Sequence, residues 1–305
     1  MTEMITILGP TACGKTTLAA NLAYKLGTEI ISADSRQIYR SMDIGTGKDL
    51  KDYEVCGKHI PYHLIDIVDA GYKYNLFEYQ RDFLKSYEDI KSRGLMPILC
   101  GGTGLYIESV LNAYRLTPVP ENPELRQKLE GKPLEELIEI LKGYKTLHNV
   151  SDLDTTKRAI RAIEIADHYK NTEKEERKFP KIDSLVVGIN IDREERRAKI
   201  SKRLRDRLKE GLVEEVEGIM RNGVSAEDLV YYGLEYKFVT NYITGLISYE
   251  EMVETLEIAI HQFAKRQMTW FRGMEKRGIH INWIESTLST EEKISAIEEL
   301  LQKNN

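Results

Sequence analysis

The sequence predicts an α/β protein: a P-loop-type doubly wound parallel sheet with a helical insertion domain. Three observations predict it. ITIL (5–8), EIISAD (29–34), PILC (97–100) and SLVVGINI (184–191) are short apolar runs rich in β-branched residues, the pattern of strands buried on both faces. Segments of helical period separate the strands, so the connections are crossovers and the sheet is parallel. GPTACGKT (9–16) joins the first run to the first helical segment in the pattern G-x-x-x-x-G-K-[ST], a loop that cradles phosphates.

Each element follows in order. ITIL ends at Gly9 and feeds the loop. Residues 15–26 carry Leu18, Leu22 and Leu26 on one helical face. EIISAD is the second strand, and its end is expected to face the ligand crevice as the neighbour of the first strand's end. YHLIDIV (62–68) follows Pro61 as a third strand. Residues 77–93 form an amphipathic helix that stops before Gly94, and PILC then leads into GGTG and another helix. From 117 to 183 the pattern turns helical and charged, with Pro118, Pro120, Pro123, Pro133 and Pro180 as punctuation. The domain reading is a core in two parts, 1–116 and 184–305, with a helical insertion at 117–183. Long charged helices are expected at 193–211 and 249–277, a last strand at 279–284, and a terminal helix capped by Ser289 and Glu292.

Bulk properties narrow the class. The chain has 305 residues, 41% of them hydrophobic, enough for a large core and too many for global disorder. A net charge of −5 does not advertise a nucleic-acid binder, so any such surface must be local. Cys13, Cys56 and Cys100 have no paired spacing, which argues against a disulfide framework or a zinc site. His59 and His63 are separated by Pro61 and have no third ligand nearby, so a metal pair is rejected. No signal-like or membrane-length apolar segment is visible; the expectation is a soluble, cytoplasmic protein, without membrane contact and monomeric.

The loop's chemistry is diphosphate and magnesium, not necessarily a nucleotide. Gly9, Pro10, Thr11, Ala12, Cys13, Gly14, Lys15 and Thr16 surround one anionic site with backbone N–H groups and a helix N-terminus. Lys15 adds a point charge, and the Thr16 hydroxyl is placed to ligate Mg²⁺. The best-placed carboxylate is Asp34. On its own it reads as a metal ligand, a general base or a helix cap.

At SADSRQIYRSMDIGTGK (32–48) the sequence resembles the tRNA dimethylallyltransferases. GPTACGKT, HLIDI (63–67), RGLMPILCGGTGLY (93–106), KRAIRAIE (157–164) and AKRQMTWFR (264–272) continue the resemblance, in the family's order, through most of the chain. The resemblance implies transfer of a dimethylallyl group from dimethylallyl diphosphate to N6 of the adenosine at tRNA position 37. It implies Asp34 as the base, with Lys15 and Thr16 acting on the departing diphosphate beside Mg²⁺. It further implies contact with the anticodon stem–loop by Asp34, Ser35, Arg36, Gln37, Thr103 and Arg126. Arg158 and Arg161, three apart on one helical face, read either as phosphate contacts or as a solvated face pairing with Glu164; the resemblance favours RNA. The basic run 193–209 is partly neutralised by its own acids, yet some of Arg196, Arg197, Lys199, Lys202 and Arg203 are expected at the RNA channel. Trp270 and Phe271 read as core.

Two departures stand out. Many family members carry Arg where HQFAKRQ places His261, a position implied to help hold donor diphosphate. Lys265 and Arg266 are the cations that could compensate. GLEYK (233–237) is a looser form of the family's G-Y-K-E. A kinase using ATP at the same loop is the competing enzyme reading; it leaves the insertion's basic helices unexplained.

Overall fold

The computed structural model describes residues 2–116, 118–144, 155–171 and 179–304. The first compact unit comprises 1–114 and 180–305, the second 115–179. The first unit begins with β1 (Met4–Leu8), α1 (Lys15–Leu26) and β2 (Ile30–Ser32). A small hairpin follows, β3 (Glu54–Val55) and β4 (Lys58–His59), then β5 (Tyr62–His63), α2 (Leu76–Ser92), β6 (Ile98–Gly101) and α3 (Gly104–Leu111). The second unit holds α4 (Pro123–Leu129), α5 (Leu134–Lys142) and α6 (Thr156–Asn171). The chain then returns to the first unit with β7 (Ser184–Asn190), α7 (Arg193–Lys209), α8 (Leu212–Arg221), α9 (Ala226–Tyr231), α10 (Leu234–Ile243), α11 (Tyr249–Lys276), β8 (Asn282–Glu285) and α12 (Thr290–Asn304).

Six strands form one parallel sheet in the order β5-β2-β6-β1-β7-β8. Ile5 and Ile7 alternate with Met4 and Leu8, so both faces of β1 are apolar and all four side chains are fully buried. One face packs Ile5, Ile7, Ile98, Val187 and Ile284 against Leu18 and Leu22 of α1 and Ile297 of α12. On the other side α2 packs on β2, α3 on β6, and α11 on α3. The expected capping box closes α12: Ser289 N donates to Glu292 Oε2 (2.7 Å) and Glu292 N to Ser289 Oγ (3.2 Å). In the second unit, Leu129, Leu137, Leu141, Ala159, Ala162 and Ile163 form a separate core.

Three expectations need correction. The strand expected at 62–68 ends at His63, because Leu64 and Asp66 are left-handed, with φ of 62° and 56°. The cause is a buried cation: the Lys48 ammonium lies between Asp43 (2.8 Å), Asp66 and the Tyr39 carbonyl, so the chain bends to bring Asp66 to it. The last strand starts at Asn282 rather than 279. Furthermore, β2 is not β1's neighbour; β6 lies between them, pairing Ile98 with both Ile5 and Ile30.

Candidate active site

The phosphate loop leaves β1 at its carboxyl end and closes on Gly14, which is left-handed (φ 82°) and serves as N-cap of α1. Gly tolerates that conformation without a Cβ penalty. No side chain caps α1 and its first turn holds no acid. The first-turn N–H groups therefore remain available to an anion. Lys15 Nζ rests 3.4 Å from the Pro10 carbonyl, and the half-buried Thr16 hydroxyl makes no hydrogen bond with a described residue. Cys13 and Cys100 are buried free thiols, and burial pushes the Cys100 thiol up to about 12, so it is inert.

Beyond β2, the Asp34 carboxylate accepts the Arg36 backbone N–H at Oδ1 (2.9 Å). Its other oxygen has no described donor. Thr103, just past β6, accepts the Ser35 N–H at 3.0 Å and lies 3.3 Å from the Ser35 hydroxyl. A Cβ on Gly101 would overlap the Ala33 carbonyl, so glycine is what lets the Asp34 and Thr103 strand ends meet. Gln37 is held at both ends of its amide, donating to the Gly47 carbonyl (3.0 Å) and accepting from Ser32 Oγ (3.4 Å).

Gln267 is the residue that sequence reasoning missed. It sits on the buried side of α11, accepts the Thr11 N–H (2.9 Å) and donates to the Gly102 carbonyl (2.9 Å). One amide thus ties the phosphate loop to the end of β6. A signal was available: Gln267 is the one polar residue in the run Ile260, Ala264, Gln267, Met268, Phe271, where helical spacing calls for apolar ones. Asp52 was also missed. It accepts from Thr17 Oγ1 (3.2 Å), next to the loop, and burial together with Asp49 pushes its carboxyl up.

His261 lies on α11 with its side chain 13% exposed; Nε2 is 3.5 Å from Glu257 and Nδ1 is buried without a partner. Ala12 of the loop packs with Ile260 and Ala264, one residue before and three after it. Lys265 and Arg266 are exposed and form no ion pair with a described residue. Phe271 is core, as expected, whereas Trp270 is half-buried, with the Arg277 guanidinium 5.8 Å from its ring.

The basic run on α7 divides. Lys199 pairs with Glu195 and Lys202 with Asp206, both at 2.7 Å on the surface. Arg203 turns to Asp49, and Arg207 lies buried 4.0 Å from the same carboxylate. In the second unit, Arg126 grips Glu164 through Nε (2.8 Å) and Nη2 (3.0 Å), and Arg161 reaches the same carboxylate at 3.0 Å. These two arginines therefore have a structural partner whether or not they also meet RNA. Arg158 opens α6, where its N–H is 3.3 Å from Thr155 Oγ1.

A phosphate loop, an uncapped helix N-terminus and a carboxylate with one open oxygen share the carboxyl edge of a parallel sheet. That arrangement defines a P-loop group-transfer enzyme. The family model for IPP transferase matches residues 37–274, and that for isopentenyl transferase matches 2–60. The chain belongs to the IPP transferase family. It is 67% identical over 299 residues to a tRNA dimethylallyltransferase of Parabacteroides distasonis, covering 98% of this chain and 97% of that one. A second relative, tRNA dimethylallyltransferase 2 from Bacteroides fragilis, is 62% identical over 99% of this chain and 98% of its own. A solved tRNA isopentenylpyrophosphate transferase from Staphylococcus epidermidis superimposes with a TM-score of 0.71 at 32% identity, with both chains covered in full. A eukaryotic dimethylallyltransferase acting on tRNA shares the fold, with a TM-score of 0.77 at 22% identity over 99% of this chain and 80% of that one.

Proposed function

We propose that this enzyme transfers a dimethylallyl group from dimethylallyl diphosphate to N6 of the adenosine at tRNA position 37, next to the anticodon. The observation that carries the reading is the shared sheet edge: an open Asp34 oxygen and an anion-ready α1 at the same carboxyl edge, in a chain 67% identical to a named tRNA dimethylallyltransferase. The diphosphate sits in the loop of residues 9–16, on the uncommitted N–H groups that lead into α1, with Lys15 beside it. N6 is a poor nucleophile because its lone pair is delocalised into the ring. Asp34 takes the N6 proton as the new C–N bond forms, and the donor C–O bond breaks with its electron pair going to the diphosphate. Lys15 and the α1 N-terminus stabilise that developing charge.

Mg²⁺ fits this site as a substrate-borne ion. No group of three His, Cys, Asp or Glu among the described residues could hold a metal, and the Thr16 hydroxyl is uncommitted. One hydroxyl plus phosphate oxygens suits a cation that keeps several waters. When bound, it neutralises charge on the leaving diphosphate.

The acceptor base must leave its stack to reach Asp34. Ser35, Arg36, Gln37 and Thr103 surround the strand end where it would arrive; the Ser35–Thr103 bonds, the Arg36 N–H on Asp34 and the Gln37 bond to Gly47 hold that surface in one shape. Arg126, Arg158 and Arg161 of the insertion are read as contacts to the anticodon stem–loop. No helix among the described residues is long and apolar enough to cross a membrane. A tRNA substrate implies a cytoplasmic site of action, and one chain carries every group the reaction uses, so a monomer suffices. His261 is read at the donor end, offering an orphaned ring nitrogen where an arginine would offer a full charge.

The test is Asp34→Asn. It keeps the shape and removes the base, so transfer should fall at least a hundredfold while tRNA binding persists. Transfer at the wild-type rate would remove Asp34 from the chemistry.

A further inference from the structure

An exposed aromatic ring stands beside the acceptor side of the site and no step above uses it. Tyr231, the last residue of α9, is 51% exposed. Large aromatic side chains normally bury most of their area, so one left half in water has a free face. The Arg36 guanidinium lies 5.7 Å from the ring centroid, which is cation–π range. Arg36 is the residue whose backbone N–H holds the Asp34 carboxylate. The ring is therefore two side-chain steps from the group that receives the extruded base.

The ring is also braced. Tyr231 packs edge-on against Tyr232 (5.7 Å, 81°), and Tyr232 packs edge-on against Tyr39 (4.6 Å, 62°). The Tyr232 hydroxyl accepts the Gly71 N–H (2.6 Å) and lies 3.2 Å from the Tyr72 carbonyl. Tyr232 and Tyr39 are 1% exposed, so Tyr231 stands on a fixed core. A flat ring held rigidly in solvent costs little entropy when it stacks on another flat ring. Its surroundings select a nucleobase over the prenyl chain. The dimethylallyl group is aliphatic and gains most from an enclosed apolar wall, whereas this face is open and carries a guanidinium. Unstacked bases bind aromatic and guanidinium planes.

We propose that Tyr231 is a stacking platform for the nucleotide next to the adenosine that enters the site, with Arg36 bracing the far side of the ring. Extruding one base exposes the faces of its neighbours, and Tyr231 covers one of them. The platform specifies a base of any identity, because every base has a π face; it sets affinity for the acceptor strand, not sequence. This rests on the reading of Asp34 as the acceptor side of the crevice.

The experiment uses the full-length enzyme and an anticodon stem–loop carrying 2-aminopurine on one or the other side of the target adenosine. Binding quenches the fluorophore where it stacks. Wild type and Tyr231→Phe should quench one of the two labels equally, since stacking does not need the hydroxyl. Tyr231→Ala and Tyr231→Leu should lose that quench and raise the KM for tRNA roughly tenfold, with the KM for dimethylallyl diphosphate unchanged. Undiminished quenching and tRNA KM in Tyr231→Ala, a loss shared by Tyr231→Phe, or an effect confined to the donor KM would each overturn the proposal. Binding is read without turnover, so a wild-type enzyme that binds and quenches but transfers nothing would contradict the proposed reaction and leave the platform standing.

Discussion

At the scale of single residues, the site depends on groups that hold other groups. Gln267 has no chemistry to offer, yet its amide joins Thr11 of the phosphate loop to Gly102. Replacing it with alanine leaves a buried N–H and a buried carbonyl unpaired, each costing about 1–3 kcal/mol. Gln267→Ala should therefore raise the KM for dimethylallyl diphosphate several-fold while the KM for tRNA stays within twofold; steady-state kinetics with each substrate varied in turn reads the difference. Equal effects on both substrates would mean that Gln267 supports the fold rather than the loop. The phosphate loop and the carboxylate proposed as base were legible in the sequence, because the loop has a dense local pattern and Asp34 follows an apolar strand. Gln267 was not, because its partners are 256 and 165 residues away in the chain and no spacing rule connects them.

Among elements, α11 is the longest and touches the most chemistry. It carries Gln267 and His261, and its end is moored to α3 by Arg277, which bonds Glu108 through Nε (2.5 Å) and Nη2 (2.8 Å). The Glu108 side chain is buried and Arg277 half-exposed. Glu108→Ala should lower stability by about 2 kcal/mol, less than a fully buried pair because water partly replaces the carboxylate at Arg277. Chemical denaturation against wild type measures it, and an unchanged midpoint would mean the pair is idle. The strands of the sheet were readable as apolar runs, α1 and α2 as periodic ones, and α12 as a periodic one with its capping box. The early end of β5 was not readable. Alternating apolar residues at 62–68 look like a strand, but Lys48 draws Asp66 out of line, and that tertiary contact overrides the local pattern. The position of β6 between β1 and β2 is likewise a matter of topology that periodicity does not carry.

For the whole molecule, stability should depend on acid in a defined window. Hydrogen bonds from the Arg93 guanidinium, opposed by burial and helped by His63, hold the Glu29 carboxyl at about 2. The folded-state value is depressed from 4.5, so the stabilisation is complete above that value and is lost as pH falls toward about 2. Glu29→Gln should cost on the order of 2 kcal/mol at neutral pH, and the gap to wild type should close across that window. A gap that stays constant from neutral pH to pH 2 would contradict the assignment. The net charge of −5 makes tRNA binding a local affair of basic side chains, which bulk composition could not locate. The measurement that bears most directly on function follows label rather than affinity. Purified enzyme, Mg²⁺ and unmodified tRNA are incubated with labelled dimethylallyl diphosphate, beside a parallel reaction with labelled ATP. Label should appear on N6 of the adenosine next to the anticodon, from the prenyl donor alone, with none from ATP. Phosphoryl transfer from ATP with no prenylated tRNA would return the loop to nucleotide chemistry and contradict the role given to Asp34.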